Sequence, residues 1–329
     1  MQGIGVQGIG VKAIAAAFWL FSACGAQAAS CDARLAPPEA LRSADLVENY
    51  QPVLQICRAA GAEQIAIRRM TLHGDAALLI ADPATLATRL ERAACWTCAD
   101  ATEASLGDTR MMRAIARSAA APELVHRGFL ENAGLTHGEA GGGYFTGDLC
   151  PSRNPLDRAF LATLAGKATP IALSISGLWL KHHFDDFRWL LDRQAAGDFA
   201  ITWANHSYSH PYRKGVAEAA NFLLTPGVDP NYEILQTERL LIANGQVPSL
   251  FFRFPGLVSS APLMQAVRRH HLVSLGADAW LALNQRPRDG SILLVHPNGN
   301  EELGLKIYRG DAAKGALPSP LKPLNEAPP

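Results

Sequence analysis

The stretch Phe199-Ala200-Ile201-Thr202-Trp203-Ala204-Asn205-His206-Ser207-Tyr208-Ser209-His210-Pro211 decides how this chain is read. Its apolar opening, Phe199 to Ala204, suits a short buried strand, and Pro211 discourages regular continuation beyond the two His. The imidazoles therefore stand at a strand's carboxyl end. Their four-residue spacing lets both rings face one side of a helical turn or of a tight strand-to-helix loop, and neutral imidazole is the commonest protein ligand for zinc. In barrels of alternating strands and helices, catalytic side chains gather at that end, because the loops vary while the strands hold position. With ten His in the chain, spacing alone also fits an exposed or hydrogen-bonded pair, so the flanking sequence has to decide.

Working outward, strand-like apolar runs recur at Gly143 to Thr146, Pro170 to Ser176, Ser249 to Phe254, Leu272 to Leu275 and Ile292 to Val295. Helical patterns lie between most of them, including Asp185 to Ala195 and Tyr232 to Ala243. This alternation predicts parallel strands with helical crossovers, in a barrel or a doubly wound sheet. The segment between Trp280 and Ser291 is too short for a full helix, which predicts an incomplete or open barrel. Most runs end in a polar or ionisable group: Thr146-Gly147 leads to Asp148, Asn205 to His206, Phe252 to Arg253 and Val295 to His296.

Upstream, the reading is a smaller α/β region over residues 29–138. It has a helix near Ser43 to Ala60, strands near Gln64 to Arg69 and Ala76 to Ala81, and helices near Pro83 to Ala94 and Thr109 to Ala119. The Gly138-Glu139-Ala140-Gly141-Gly142-Gly143 stretch reads as a hinge, giving a second domain over 139–310. Beyond it, the Pro-rich tail 311–329 reads as disordered.

The 329 residues are 48% hydrophobic, which suits a globular chain. Lys plus Arg balance Asp plus Glu at 30 each, so nothing points to nucleic acid or an anionic membrane, whereas a neutral glycan is compatible. Residues 1–28 read as a secretory signal: Lys12, an apolar run from Ala13 to Ala23 too short to span a membrane, and Ala26-Gln27-Ala28 for cleavage. Export places the protein in the periplasm or outside the cell. A rival reading lipidates Cys24 after Phe21-Ser22-Ala23. Cys95-Trp96-Thr97-Cys98 reads as a structural disulfide, with a redox dithiol as the alternative; Cys31 with Cys57 is a plausible second bridge, leaving Cys150 unpaired.

From Tyr144 to Gly299 the sequence resembles the polysaccharide deacetylases of carbohydrate esterase family 4, including the chitooligosaccharide deacetylases. The motif Thr-Phe-Asp-Asp-Gly-Pro-Ser lines up with Thr146-Gly147-Asp148-Leu149-Cys150-Pro151-Ser152, and His-Ser/Thr-x-x-His is matched by His206 to His210. Arg-x-Pro-Tyr-Gly stands as Arg253-Phe254-Pro255-Gly256, an Asp near a Trp as Asp278-Ala279-Trp280, and Leu-x-His as Leu294-Val295-His296. The resemblance implies an α/β fold, a distorted or incomplete (β/α) barrel. It implies a divalent metal, most simply zinc, on His206 and His210, and a hydrolase that removes acetyl groups, mainly N-acetyl, from a poly- or oligosaccharide. Asp148 would be general base, His296 general acid, Arg253 the partner of Asp148 and Asp278 that of His296. Gly256 would offer a backbone N–H to the oxyanion, and Trp280 would meet substrate.

The departure is Leu149, where the family has the Asp that completes the metal shell. Either Asp148 joins the metal, or Cys150 substitutes, or catalysis has lapsed and a glycan-binding protein remains. Asp185-Asp186 reads as a helix amino-terminal cap. The adjacent pairs His182-His183 and His270-His271 point their side chains apart, so neither carries a ligand role.

Overall fold

A computed structural model describes residues 1–3, 31, 35, 43–120, 125–126 and 128–329. Residues 4–28 of the export segment, Cys24 among them, lie outside the described residues.

The chain enters through an antiparallel sheet, β1 (Val47–Ala59), β2 (Ala62–Leu72), β3 (Asp75–Ala81), β4 (Thr88–Arg92) and β5 (Thr97–Asp100), ordered β4-β3-β2-β1-β5. Two of these strands replace expected helices. Ala and Leu over residues 43–60 suggest a helix. In the sheet, β5 pairs only with Gln55 to Arg58, so Pro52 lies where β1 is an edge, between two register shifts. Proline is tolerated there because its missing N–H owes nothing to a ladder. The segment read as a helix over 83–94 holds β4, Thr-Arg-Leu-Glu-Arg, a short charged edge strand that resists further pairing. The helix expected near Thr109 forms as α1 (Arg110–Ser118), its amide at Met112 capped by the Thr109 hydroxyl.

After β6 (Val125–His126) and β7 (Phe129–Glu131) come β8 (Tyr144–Leu149), α2 (Arg158–Ala162), β9 (Thr169–Ile175), α3 (Gly177–His182), α4 (Phe184–Ala195), β10 (Phe199–Asn205) and α5 (Pro230–Ala243). The chain continues through β11 (Pro248–Phe252), β12 (Val258–Ser259), α6 (Ala261–Arg269), β13 (Val273–Ser274), β14 (Ala279–Trp280), β15 (Ile292–Val295) and α7 (Glu302–Ala313). Seven strands form one parallel sheet, ordered β13-β11-β10-β9-β8-β15-β14, and every predicted strand-like run supplies one of them. Among the described residues no ladder joins β13 to β14, so this is an open (β/α) barrel. Between β14 and β15 there is only a single 3-10 turn, Leu281–Leu283, as the short spacing required.

The expected division at 138/139 is not present, because residues 34–329 form one compact unit. Ile65, Ile67, Met70, Leu72 and Leu79 of the antiparallel sheet share a core with Ile242, Leu250, Phe251, Val273 and Leu275 of the barrel. Arg68 and Glu238, both buried, join the two across a bidentate pair (2.7 and 2.9 Å), and the Tyr50 hydroxyl donates to the same carboxylate at 2.8 Å.

The Gly-rich stretch is likewise no hinge, and the tail is ordered. Gly143 N donates to Pro320 O (3.0 Å), Lys322 N to Gly143 O (2.8 Å) and Glu139 N to Ala327 O (3.1 Å). A Cβ on Gly142, whose φ is +147°, would lie 2.3 Å from Pro320 O. The glycines are small because the tail lies across them, and proline supplies the extended backbone that reaches along the barrel. Leu324 and Ala327 are buried.

The cysteines pair differently from the expectation. Cys57 bonds Cys98, tying β1 to β5 where the ladder sets them opposite each other. Cys95 is itself disulfide-bonded, which removes the Cys95–Cys98 dithiol and with it the redox reading. Cys150 is free and buried, as expected.

Candidate metal and catalytic site

Alternation along β8 sorts its side chains. Thr146 and Asp148 point to the barrel interior, while Phe145 and Leu149 enter the apolar layer with Phe160, Leu161 and Trp179. Leu149 therefore does not face the site, and its carbonyl is held by Ser176 N and Oγ. Cys150, one residue on, turns inward. Buried Asn298 fixes that turn by donating to Cys150 O at 2.8 Å.

His206 follows β10 directly and is 1% exposed. Its Nδ1 donates to Arg253 O at 2.9 Å, which leaves the Nε2 lone pair as the ligand atom. The pair sits in a tight loop. Ser207 and His210 have φ of +64° and +45°, unfavourable for L side chains, so the surroundings must hold them. Glu233 of α5 does so from one side, accepting from Tyr208 N, Ser209 N and Ser209 Oγ at 2.7–2.9 Å. From the other side, the amides of Gly177 and Leu178 at the start of α3 donate to Ser207 O and Tyr208 O. Glu233 was missed by sequence reasoning; no spacing rule connects it to the pair.

Cys150 Sγ lies 3.4 Å from His206 Nε2, and one ligand atom from each of Cys150, His206 and His210 falls within 4.8 Å of the others. His210 Nε2 is buried without a hydrogen-bond partner, an expensive state for a polar nitrogen unless a ligand takes its lone pair. An unpaired thiol, a tautomer-fixed imidazole and an orphaned imidazole are the donor set of a zinc-type centre. These residues fit a divalent metal. Asp148, expected as a possible ligand, is outside this set. Its Oδ2 stands 3.6 Å from His206 Nε2, and its Oδ1 accepts from Arg253 Nη1 at 2.8 Å.

Arg253 is fully buried and also donates to Thr146 Oγ1 and Gly276 O at 2.7 Å each. Burial would raise the Asp148 carboxyl, but Arg253, with His206 and His296, outweighs it and holds the group below the ordinary carboxylate range. Burial would also raise the Cys150 thiol, yet the neighbouring His210, His206 and His296 bring it well below its usual value. Burial opposes charge on His296, but Cys150, Glu301 and Asp148 prevail and raise it well above 6.5.

Asp278 does not reach His296. Its carboxylate pairs with His137 Nδ1 at 2.7 Å and accepts from Ile292 N and Ser291 Oγ, tying β14 to β15. The carboxylate beside His296 Nδ1, at 2.8 Å, belongs to Glu301, which sequence reasoning missed. Trp280 Nε1 donates to Glu301 at 2.9 Å. A cleft of about 640 Å³ opens over these groups, lined among others by Cys150, His210, Phe222, Gly256, Trp280 and His296. Gly256 has φ +63°, and a Cβ there would meet the Phe222 ring at 2.4 Å. Asp185 and Asp186 stand in the first turn of α4 rather than capping it, the cap position being His183, and Asp186 accepts from Leu156 N and Arg158 Nε.

No known sequence-family profile matches the chain. Solved structures similar to it include a family 4 carbohydrate esterase from Bacillus anthracis (24% identity, 60% of this chain and 87% of that one, TM-score 0.43). Another is a family 4 carbohydrate esterase from Streptomyces lividans in complex with acetate (20%, 58% and 98%, 0.38). A third is a family 4 pseudoenzyme from Bacillus anthracis (13%, 61% and 70%, 0.41). The likeness is distant, so what the site does has to be argued from its own residues.

Proposed function

We propose that this protein is an exported, metal-dependent hydrolase that removes acetyl groups, mainly N-acetyl, from a poly- or oligosaccharide. The observation that carries the reading is the orphaned His210 Nε2 beside Cys150 and His206, with Cys150, His210 and His296 lining one cleft and Asp148 buried 3.6 Å from His206 Nε2.

Cys150, His206 and His210 would hold the metal, most simply zinc. When bound, a divalent metal supplies Lewis acidity, polarising a carbonyl and lowering the pKa of water at its open position. Asp148, kept ionised by Arg253, takes a proton from the attacking water. His296, whose surroundings favour the charged form, gives a proton to the departing amine. A positioned acid and base typically contribute about 10²- to 10⁴-fold each. The Gly256 N–H is the candidate donor to the developing oxyanion, and the Trp280 indole is a face for the sugar ring. The products are acetate and a free amine.

The lapsed-enzyme alternative rested on Leu149, and it loses force when Cys150 supplies a third donor. No helix among the described residues is long and apolar enough to cross a membrane, and the disulfide suits an oxidising compartment. The test is acetate release from N-acetylglucosamine oligomers together with metal content of the purified protein. One metal per chain and acetate release are expected; no metal and no acetate across several acetylated glycans would overturn the reading.

A further inference from the structure

The loop after β15 brings a carboxylate into the cleft. Glu301 Oε2 lies 2.8 Å from His296 Nδ1 and accepts from Trp280 Nε1 at 2.9 Å, while the Trp280 and His296 rings stand 5.9 Å apart. The contact is within ion-pair distance, and its geometry falls short of an aligned hydrogen bond. Asp278, the acid expected here, is used up by His137, Ser291 and Ile292, with Arg288 at 3.5 Å.

We propose that Glu301 is the positioning residue of His296, fastened in turn by the Trp280 indole. This rests on the acid role proposed above for His296. A carboxylate on Nδ1 fixes the ring's orientation and leaves Nε2 as the nitrogen that exchanges a proton, a division of labour that recurs wherever a histidine works as acid or base. Glu301 is 29% exposed at its side chain, so it joins the ring to the cleft wall without being sealed in the core. Asp278 is a structural tie between β14 and β15.

The test compares wild type, Glu301→Gln, Glu301→Asp and Asp278→Asn on two substrates: an N-acetylglucosamine oligomer, whose amine must be protonated to leave, and an aryl acetate, whose phenolate leaves unaided. Glu301→Gln should lower kcat on the amide at least about 10-fold with little change in KM, and spare the aryl acetate. Glu301→Asp should recover part of the loss, and Asp278→Asn should leave the ratio between the two substrates in place. In parallel, the His296 Nδ1 resonance, assigned by its loss in His296→Gln, should move in Glu301→Gln and stay in Asp278→Asn. An unchanged substrate ratio and an unmoved resonance in Glu301→Gln would overturn the inference, as would a resonance that follows Asp278. If wild type releases acetate from neither substrate, the deacetylase reading fails, and the resonance alone decides the pairing.

Discussion

Two buried polar clusters sit in this molecule, and they differ in what is left over. Within the trio Arg68, Glu238 and Tyr50, every side-chain polar atom has a partner: the carboxylate accepts from the guanidinium twice and from the phenol once, and Nη1 donates to Ile67 O and His270 O. Around Cys150, His206 and His210, a thiol stays free, His210 Nε2 is orphaned, and so is Nε of the adjoining Arg253. Arg68 and Glu238 are 0% and 1% exposed, whereas Cys150 and His210, at 8% and 9%, line the cleft. A satisfied cluster has nothing to offer a ligand and acts as a joint between sheet and barrel, whereas an unsatisfied one carries its desolvation cost for the sake of something that binds.

The contrast can be broken by exchanging their expected phenotypes. In the site, Asp148→Asn should cost about 10²- to 10⁴-fold in kcat while metal content and the unfolding midpoint hold nearly steady, because shape and burial are kept and only the base is lost. In the joint, Arg68→Met should do the reverse. It strands Glu238 in the core, and breaking such a pair typically costs about 3–5 kcal/mol, read by chemical denaturation, with metal content per folded chain unchanged. A fall in activity per folded molecule with Arg68→Met would mean that the joint serves the site after all.

A milder probe uses pH. His270 lies against the joint, its Nε2 on Asn231 Oδ1; burial first, then the positive charge of Arg68, with His271 and Arg269, brings its pKa to about 3, Asp229 opposing. Burial and Arg68 bring His271 to about 4, with Glu103 opposing. Both values lie below the ordinary 6.5, so between about pH 6.5 and 4 the unfolded chain takes up protons that the folded chain refuses. Stability should therefore fall as pH falls through that window, by up to a few kcal/mol, and His270→Gln should flatten the slope. A stability that rises on acidification would contradict this.

How far these regions could be read from sequence follows the same division. The parallel strands were legible because strands buried on both faces read as short apolar runs, and β15 was placed to the residue over Ile292 to Val295. The antiparallel sheet was not, since β1 is half exposed, carries Pro52 and sets Val47, Val53 and Ile56 among polar and charged residues without a strict alternation. In the site, residues fixed by spacing on one strand end were found: Asp148, His206, His210, Arg253 and His296. Those set by loop return were not. Glu301 reaches His296 only because the chain folds back after Pro297, and the Asp-x-Trp spacing drew attention to Asp278 instead. Cys150 was visible as a thiol, but its direction depended on the turn that Asn298 holds.

The most direct test of the account is equilibrium zinc binding by competition with a chromophoric chelator, wild type against Cys150→Ser. The account predicts one zinc per chain in wild type and an affinity at least about 10- to 100-fold lower in the variant, with both proteins folded by far-ultraviolet circular dichroism. A wild type that binds no zinc, or a variant that binds it as tightly, would contradict the claim that Cys150 completes the shell of His206 and His210.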